Sequence, residues 1–271
     1  MTCLTDLPVL VINLDRRPDR WAHIQKMLAM HGFSRVQRLS AVDGQKLSED
    51  EVSRVTSPEA RSSLTRIRYR HEELGSVGAV GCYLSHVKVW QIIASSPEPY
   101  LVVEDDAVLL SSLMGFAVAQ NPLAACQGYD MVLLGYLLLR SLDGKRSPQN
   151  STNQDQIVPY RGLFFGTQFY YLTPSGAQKL LERALPIEVQ VDSYMGQQMV
   201  EGHVVTGAHF PNLGWQRRAD DTDIQVACLE KQSPLARRQQ KRLWIFLVMI
   251  IVVLLLIFWI WRRKRVRTLP A

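Results

Sequence analysis

Leu101, Val102 and Val103 form an unbroken apolar run inside Tyr100 to Asp106 (YLVVEDD), and Pro8 to Leu14 (PVLVINL) repeats the pattern near the N-terminus. Runs this short cannot make helices of useful length, and without polar alternation they suit strands buried on both faces of a parallel sheet. Between them, Trp21, Ile24, Met27, Leu28 and His31 follow a helical stripe. Pro18 fits its first position and Gly32 its end. Arg35 to Leu39 then reads as a short strand, which completes a β-α-β unit. Val80, Leu84, Val87, Trp90 and Ile93 mark the inner face of a second helix within Gly75 to Ala94. Leu109 to Ala125 is predicted helical, Tyr129 to Gly135 another buried strand, and Phe164 to Leu172 one aromatic strand. A helix capped by Thr173, with Pro174 at its first position, is predicted to run to Leu185. Polar residues 45–74 read as a mobile or weakly helical insertion, and 203–226 as irregular. The fold class is therefore α/β, a mostly parallel sheet flanked by helices, with no internal repeat.

The last 29 residues follow a different pattern. Leu243 to Trp261 is uninterrupted apolar chain, with Trp244, Trp259 and Trp261 near its two ends. As a helix it spans about 28 Å, close to a bilayer's hydrocarbon thickness. The expected organisation is a globular domain over 1–230, a basic linker over 231–242, a transmembrane helix over 243–261 and a basic tail over 262–271. The net charge of +6 has the same origin. Without the five cations of the last ten residues, 26 Lys+Arg face 25 Asp+Glu. That balance excludes a nucleic-acid-binding field, and no nucleic-acid partner is expected.

Met1 to Val11 lacks the pattern of a signal peptide. The expected localisation is thus a single-pass tail anchor with the domain in the cytosol, although the basic tail pulls against that orientation. Cys3, Cys82, Cys126 and Cys228 lack CxxC spacing and fit a reducing compartment. The sequon Asn150-Ser151-Thr152 matters only if this face is extracytoplasmic.

Chemistry concentrates at the end of the central run. Glu104, Asp105 and Asp106 place three acidic groups at a strand's carboxyl end, where ligands of open α/β sheets bind. Adjacent carboxylates repel one another unless compensated, and hard oxygen ligands suit Mg²⁺ or Mn²⁺. A solvated turn is the alternative. Asp106 is expected to be the principal metal ligand with Glu104 assisting, while alternation turns Asp105 the other way. Arg16 and Arg20 stand where they could meet phosphate, or else form a solvated helix start. The Arg61, Arg66, Arg68 and Arg70 cluster reads first as a solvated face. His86 alone would be a packing residue. No Gly-x-Gly-x-x-Gly is present, so a dinucleotide fold is not supported.

Taken together, these segments resemble glycosyltransferase family 25, which includes lipooligosaccharide and collagen galactosyltransferases. The resemblance runs through Val9 to Arg17 with Asp19-Arg20, then Ala41-Val42-Asp43-Gly44, Gly78 to His86, and Val103-Glu104-Asp105-Asp106. It continues through Gly166-Thr167, Tyr171-Leu172, Gly176 to Leu181 and Val191-Asp192. Ala79 departs from the pattern, standing where the family usually has Glu. The resemblance implies a GT-A, Rossmann-like fold, a UDP-hexose donor, a divalent metal (Mn²⁺ or Mg²⁺) and an inverting mechanism. It implies a glycan, lipid-linked or protein acceptor. A donor site is expected from Asn13, Arg16, Arg20, Asp43, Gly44, Gly81, Ser85, His86 and Asp105. Asp192 is the candidate base, as a lone carboxylate in an apolar stretch that would raise its pKa; capping the following helix is its other role. A catalytically inactive tether with the same fold is the competing reading.

Overall fold

The computed structural model describes residues 4–64, 70–113, 122–141 and 156–217. The Leu243 to Trp261 run, the sequon, Cys3, Cys228, Arg66 and Arg68 lie outside them. Among the described residues no helix is long and apolar enough to cross a membrane.

The chain opens with β1 (Val9–Asn13), α1 (Pro18–Met30) and β2 (Val36–Ser40), the predicted unit, with β1 and β2 parallel. Pro18 begins α1, and the chain leaves it through Gly32 at φ +83°, a left-handed conformation that favours glycine. Next come α2 (Glu49–Val55), α3 (Pro58–Leu64) and the long α4 (Val77–Ala94), which returns the chain to β3 (Tyr100–Glu104) on the other side of β1. Residues 45–64 are therefore regular structure, not a loose insertion. Ser48 and Glu51 form a reciprocal capping box that starts α2. Arg61 is tied to Ser53 and to the Thr56 carbonyl, so it packs two helices together.

Beyond β3 the pattern changes. β4 (Ala107–Leu109) replaces the start of the predicted helix, of which a short α5 (Pro122–Ala125) is described. β5 (Met131–Gly135), β6 (Leu138–Ser141) and β7 (Gln156–Pro159) follow. The aromatic segment is two strands, β8 (Gly162–Phe165) and β9 (Phe169–Leu172), broken at Gly166 with φ +88°. Then come α6 (Pro174–Leu181), capped by Thr173 as predicted but ending before Leu185, α7 (Val191–Glu201), β10 (Thr206–Phe210) and β11 (Gly214–Gln216).

The main path of the sheet runs β2-β1-β3-β9-β5-β10-β7. Five of these strands point one way. β9 runs antiparallel between β3 and β5, and β7 antiparallel at the edge. The apolar runs are buried on both faces, as their composition requires. Leu10, Ile12, Val102 and Tyr170 enter one core with α4, α6 and α7, while Val9, Val11, Leu101, Val103 and Phe169 enter the other with α1.

The loop after β2 sits on the first turns of α4 at backbone distance. A Cβ on Gly44 would fall 1.9 Å from the Val77 carbonyl oxygen, and one on Gly81 2.5 Å from the Gly44 nitrogen. Both obstacles are main chain, so neither can swing away. Gly81→Ala should therefore lower the urea midpoint, by roughly 1–3 kcal/mol in unfolding free energy. An unchanged midpoint would show that the loop can lift without cost.

Candidate active site

The carboxyl ends of three adjacent parallel strands, β1, β2 and β3, open onto a cleft. Arg16, Arg20, Asp43, Gly44, Ser85, His86, Glu104, Asp105 and Asp106 line it. Asn13 lies directly behind, and Gly81 supports the loop that carries Asp43. The spacing of the α4 motif now has a physical reason. Gly78, Gly81, Cys82, Ser85 and His86 recur at helical intervals and share one face. Gly78 and Cys82 form cleft wall and Gly81 admits the loop. The Ser85 hydroxyl accepts from the Val42 amide (2.8 Å) and donates to the Gly81 carbonyl (2.7 Å), which fastens loop to helix. Asp43 accepts from the Gln45 amide and from Arg16 Nε at 3.1 Å.

The three carboxylates are compensated unequally. Asp105 turns toward β1 and α1, accepting from Asn13 Nδ2 (2.7 Å) and Arg20 Nη1 (3.1 Å), both buried. Asn13 is itself held by Arg38 Nε at 2.7 Å. Burial raises the Asp105 carboxyl, with Asn13 and Arg20 opposing. Glu104 takes His86 Nε2 (3.2 Å) and the Thr167 hydroxyl, both on Oε1, which leaves Oε2 as its open oxygen. Asp106 receives Gln216 Nε2 at 3.0 Å on one oxygen, while the other, Oδ1, is buried without a hydrogen-bond partner among the described residues. The Arg20 guanidinium is 3.9 Å away. Burial first, and the Glu104 charge second, push the Asp106 carboxyl up to about 7. A buried carboxylate oxygen without a donor, in a cleft that Glu104 also lines, fits a hard divalent cation.

Asp192 stands apart from these cleft residues, in the first turn of α7. Its setting is polar, not apolar. Oδ1 accepts from the Ser193 amide (2.7 Å) and hydroxyl (3.3 Å), and Oδ2 from the Gly166 amide (3.2 Å). His71 Nε2 lies 3.2 Å from Oδ2, and its ring meets Phe165 edge-on at 4.1 Å between centroids. Gln190 Nε2 donates to the His71 and Glu73 carbonyls, pinning that loop to the start of α7. The Gly166–Thr167 turn thus touches Asp192 and Glu104 together. His71 and Gln216 were invisible to motif reading, because each acts through a partner more than 100 residues away; Gly166-Thr167 stood in the motif series, but without a role. Ala79 does not line the cleft; its methyl is buried in the core.

A mixed α/β sheet with an acidic cleft at its parallel strand ends is a ligand-binding fold of the open-sheet class. Residues 6–195 match the profile of glycosyltransferase family 25 (LPS biosynthesis protein), and the chain belongs to that family. A "Glycosyltransferase 25 family member" of Drosophila pseudoobscura pseudoobscura is 28% identical over 234 residues, covering 82% of this chain and 33% of the relative. Procollagen galactosyltransferase 1 of Danio rerio is 24% identical over 221 residues, 75% of this chain and 33% of the relative. The Homo sapiens protein named "Inactive glycosyltransferase 25 family member 3" is 28% identical over 202 residues, covering 66% of this chain and 30% of the relative. The chain spans about a third of the length of these curated relatives.

The unequal compensation has a measurable consequence. Folding holds a proton on Asp106 between the ordinary pKa of 3.8 and about 7, where the unfolded chain has lost it. The stability this contributes is complete below about 4 and is lost as pH rises through about 7. Asp106→Asn removes the dependence. In EDTA it should melt higher than the wild type at pH 8, by on the order of 4 kcal/mol at most, and alike at pH 4. A variant that melts lower at pH 8 would show that the ionised group is stabilised in place.

Proposed function

We propose that the chain is an inverting hexosyltransferase of the GT-A, Rossmann-like type. It moves galactose or glucose from a UDP-sugar to a hydroxyl of a glycan, lipid-linked saccharide or protein, assisted by Mn²⁺ or Mg²⁺. One observation carries the reading: three consecutive carboxylates close a cleft at the parallel strand ends, and the least compensated, Asp106, keeps a buried oxygen without a donor among the described residues. In this reading the nucleoside lies against Asp43 and Gly44. The diphosphate lies along the first turn of α4, where helix N-terminal amides favour anions. Asp106 and Glu104 Oε2 would hold the cation, which supplies charge stabilisation to the departing diphosphate. Arg20 and Asn13 keep Asp105 fixed behind them.

Inversion needs one base on the face opposite the leaving group. Both Asp192 oxygens are engaged within the protein, whereas the His71 side chain beside it is 40% exposed. We assign deprotonation of the acceptor to this pair, with the imidazole reaching the hydroxyl and Asp192 orienting the ring.

Incubation of the full chain with Mn²⁺ and a panel of nucleotide sugars, followed by mass spectrometry, should show consumption of UDP-galactose or UDP-glucose. Asp106→Asn should lower kcat roughly 10²–10³-fold, although it folds more stably at pH 8. Asp192→Asn should lower it roughly 10²–10⁴-fold with donor KM little changed. Failure of every nucleotide sugar to bind would overturn the proposal. Donor binding without turnover would favour the second reading, an inactive fold that tethers glycans or partners. Ala79 and the name of the human relative are its support.

Anchoring through 243–261 would hold the cleft within a short linker of a bilayer and favour lipid-linked acceptors by proximity. Protease added to sealed vesicles carrying the full chain should digest 1–242 from the cytosolic side. Protection would reverse the orientation.

A further inference from the structure

We infer that His86 is a positioning residue for Glu104, the last donor in a one-way chain of hydrogen bonds that starts at Trp90. The use made of Glu104 rests on the transferase reading; the chain of bonds belongs to the fold. The His86 ring is fully buried in α4. Its Nδ1 lies 2.9 Å from the Tyr170 hydroxyl oxygen and its Nε2 3.2 Å from Glu104 Oε1. Tyr170, fully buried in β9, also receives Trp90 Nε1 at 3.2 Å.

An indole N–H can only donate, so Trp90 occupies a lone pair of the Tyr170 oxygen and leaves the hydroxyl proton to be placed. Among the described residues, His86 Nδ1 is the remaining group in reach of it. Were Nδ1 protonated, the Tyr170 O–H would sit in a dry interior without an acceptor, a costly orphan. Nδ1 therefore accepts, the ring proton sits on Nε2, and Nε2–H donates to Glu104. Run from Trp90 through Tyr170 and His86 to Glu104, every donor finds an acceptor; run the other way, it fails at the first step. With Thr167 donating to the same oxygen, Oε1 is held by two donors, which fixes the orientation of a carboxylate that lines the cleft.

This directionality also decides between two uses of one cluster. Cys82, His86 and Glu104 offer ligand atoms within 4.8 Å of one another, a donor set that would suit zinc. Ligation through Nε2 would push the ring proton to Nδ1 and orphan the Tyr170 hydroxyl. The hydrogen-bond chain therefore disfavours a metal there and commits His86 to Glu104.

The test is the ring tautomer, read by long-range ¹H–¹⁵N correlation on the full chain labelled at histidine, in detergent micelles. His86 should be neutral with its proton on Nε2. A proton on Nδ1, or on both nitrogens, overturns the inference. Tyr170→Phe removes the donor to Nδ1 while Glu104 still accepts from Nε2–H, so the proton should stay on Nε2 and the Nδ1 resonance should shift; an unchanged Nδ1 resonance would show that Tyr170 donates nothing to the ring. Added Zn²⁺ should leave the His86 signals in place, and a metal-bound Nε2 would overturn the assignment in favour of the metal cluster. His86→Gln places an amide nitrogen near the Nε2 position, whereas His86→Asn reaches only as far as Nδ1. The Gln variant should keep transfer within about threefold of wild type and the Asn variant lose roughly ten- to a hundredfold in kcat/KM. Equal losses would reduce His86 to packing. If the chain transfers no sugar at all, the proposed function falls, and the tautomer still decides this inference.

Discussion

Consecutive carboxylates at a buried strand end repel one another, and the rest of the site follows from how that repulsion is relieved. Asp105 is given a guanidinium and an amide, Glu104 an imidazole and a hydroxyl, and Asp106 little more than the Gln216 amide. The helpers come from different parts of the chain: Asn13 from the end of β1, Arg20 from the first turn of α1, His86 from α4, Thr167 from the β8–β9 turn and Gln216 from β11. The arrangement gives two of the carboxylates two hydrogen-bond donors each and leaves the third with one. The burial of Asp106 with so little compensation costs the folded protein stability at neutral pH, a cost of the kind that functional sites often carry.

The architecture serves this electrostatics. Burying β1 and β3 on both faces removes water from the strand ends, so each interaction there acts in a low-dielectric setting. The fold keeps the strand ends close by letting backbone meet backbone at Gly44 and Gly81, and Ser85 locks that contact. Motif residues that look like ligands in sequence thus divide into two kinds. Asp43, Glu104 and Asp106 face the cleft, while Gly81 and Asn13 hold those that do, and Ser85 does both. Family membership, shown over residues 6–195, fits this division.

Much of the first half was legible in the chain. A run such as Val-Leu-Val-Ile has one stable environment, and Pro18, Gly32 and Thr173 mark helix ends by local rules that tertiary contacts rarely overturn. The second half was harder for equally physical reasons. Strand direction leaves no trace in hydrophobic pattern, so the antiparallel β9 could not be foreseen. The continuous aromatics of Phe164 to Leu172 hid a turn whose signal was Gly166 alone. The Ser48–Glu51 capping box was a readable helix start, outweighed by the polarity of its surroundings. In the site, spacing revealed the α4 face and the acidic run. Their partners carry no assigned role in sequence, because those roles exist only after folding: Gln216 on Asp106 has no local signature, and Thr167, quoted in a motif, gave no sign that it holds Glu104.

The turn at Gly166 has one more consequence. Two adjacent residues there hold, respectively, the Asp192 side chain through the Gly166 amide and the Glu104 side chain through the Thr167 hydroxyl. Gly166 stands at φ +88°, in the left-handed region that a side chain rarely adopts. Any residue other than glycine there would strain one short turn and disturb both hydrogen bonds at once, so two carboxylates far apart in sequence depend on a single conformational choice of the main chain.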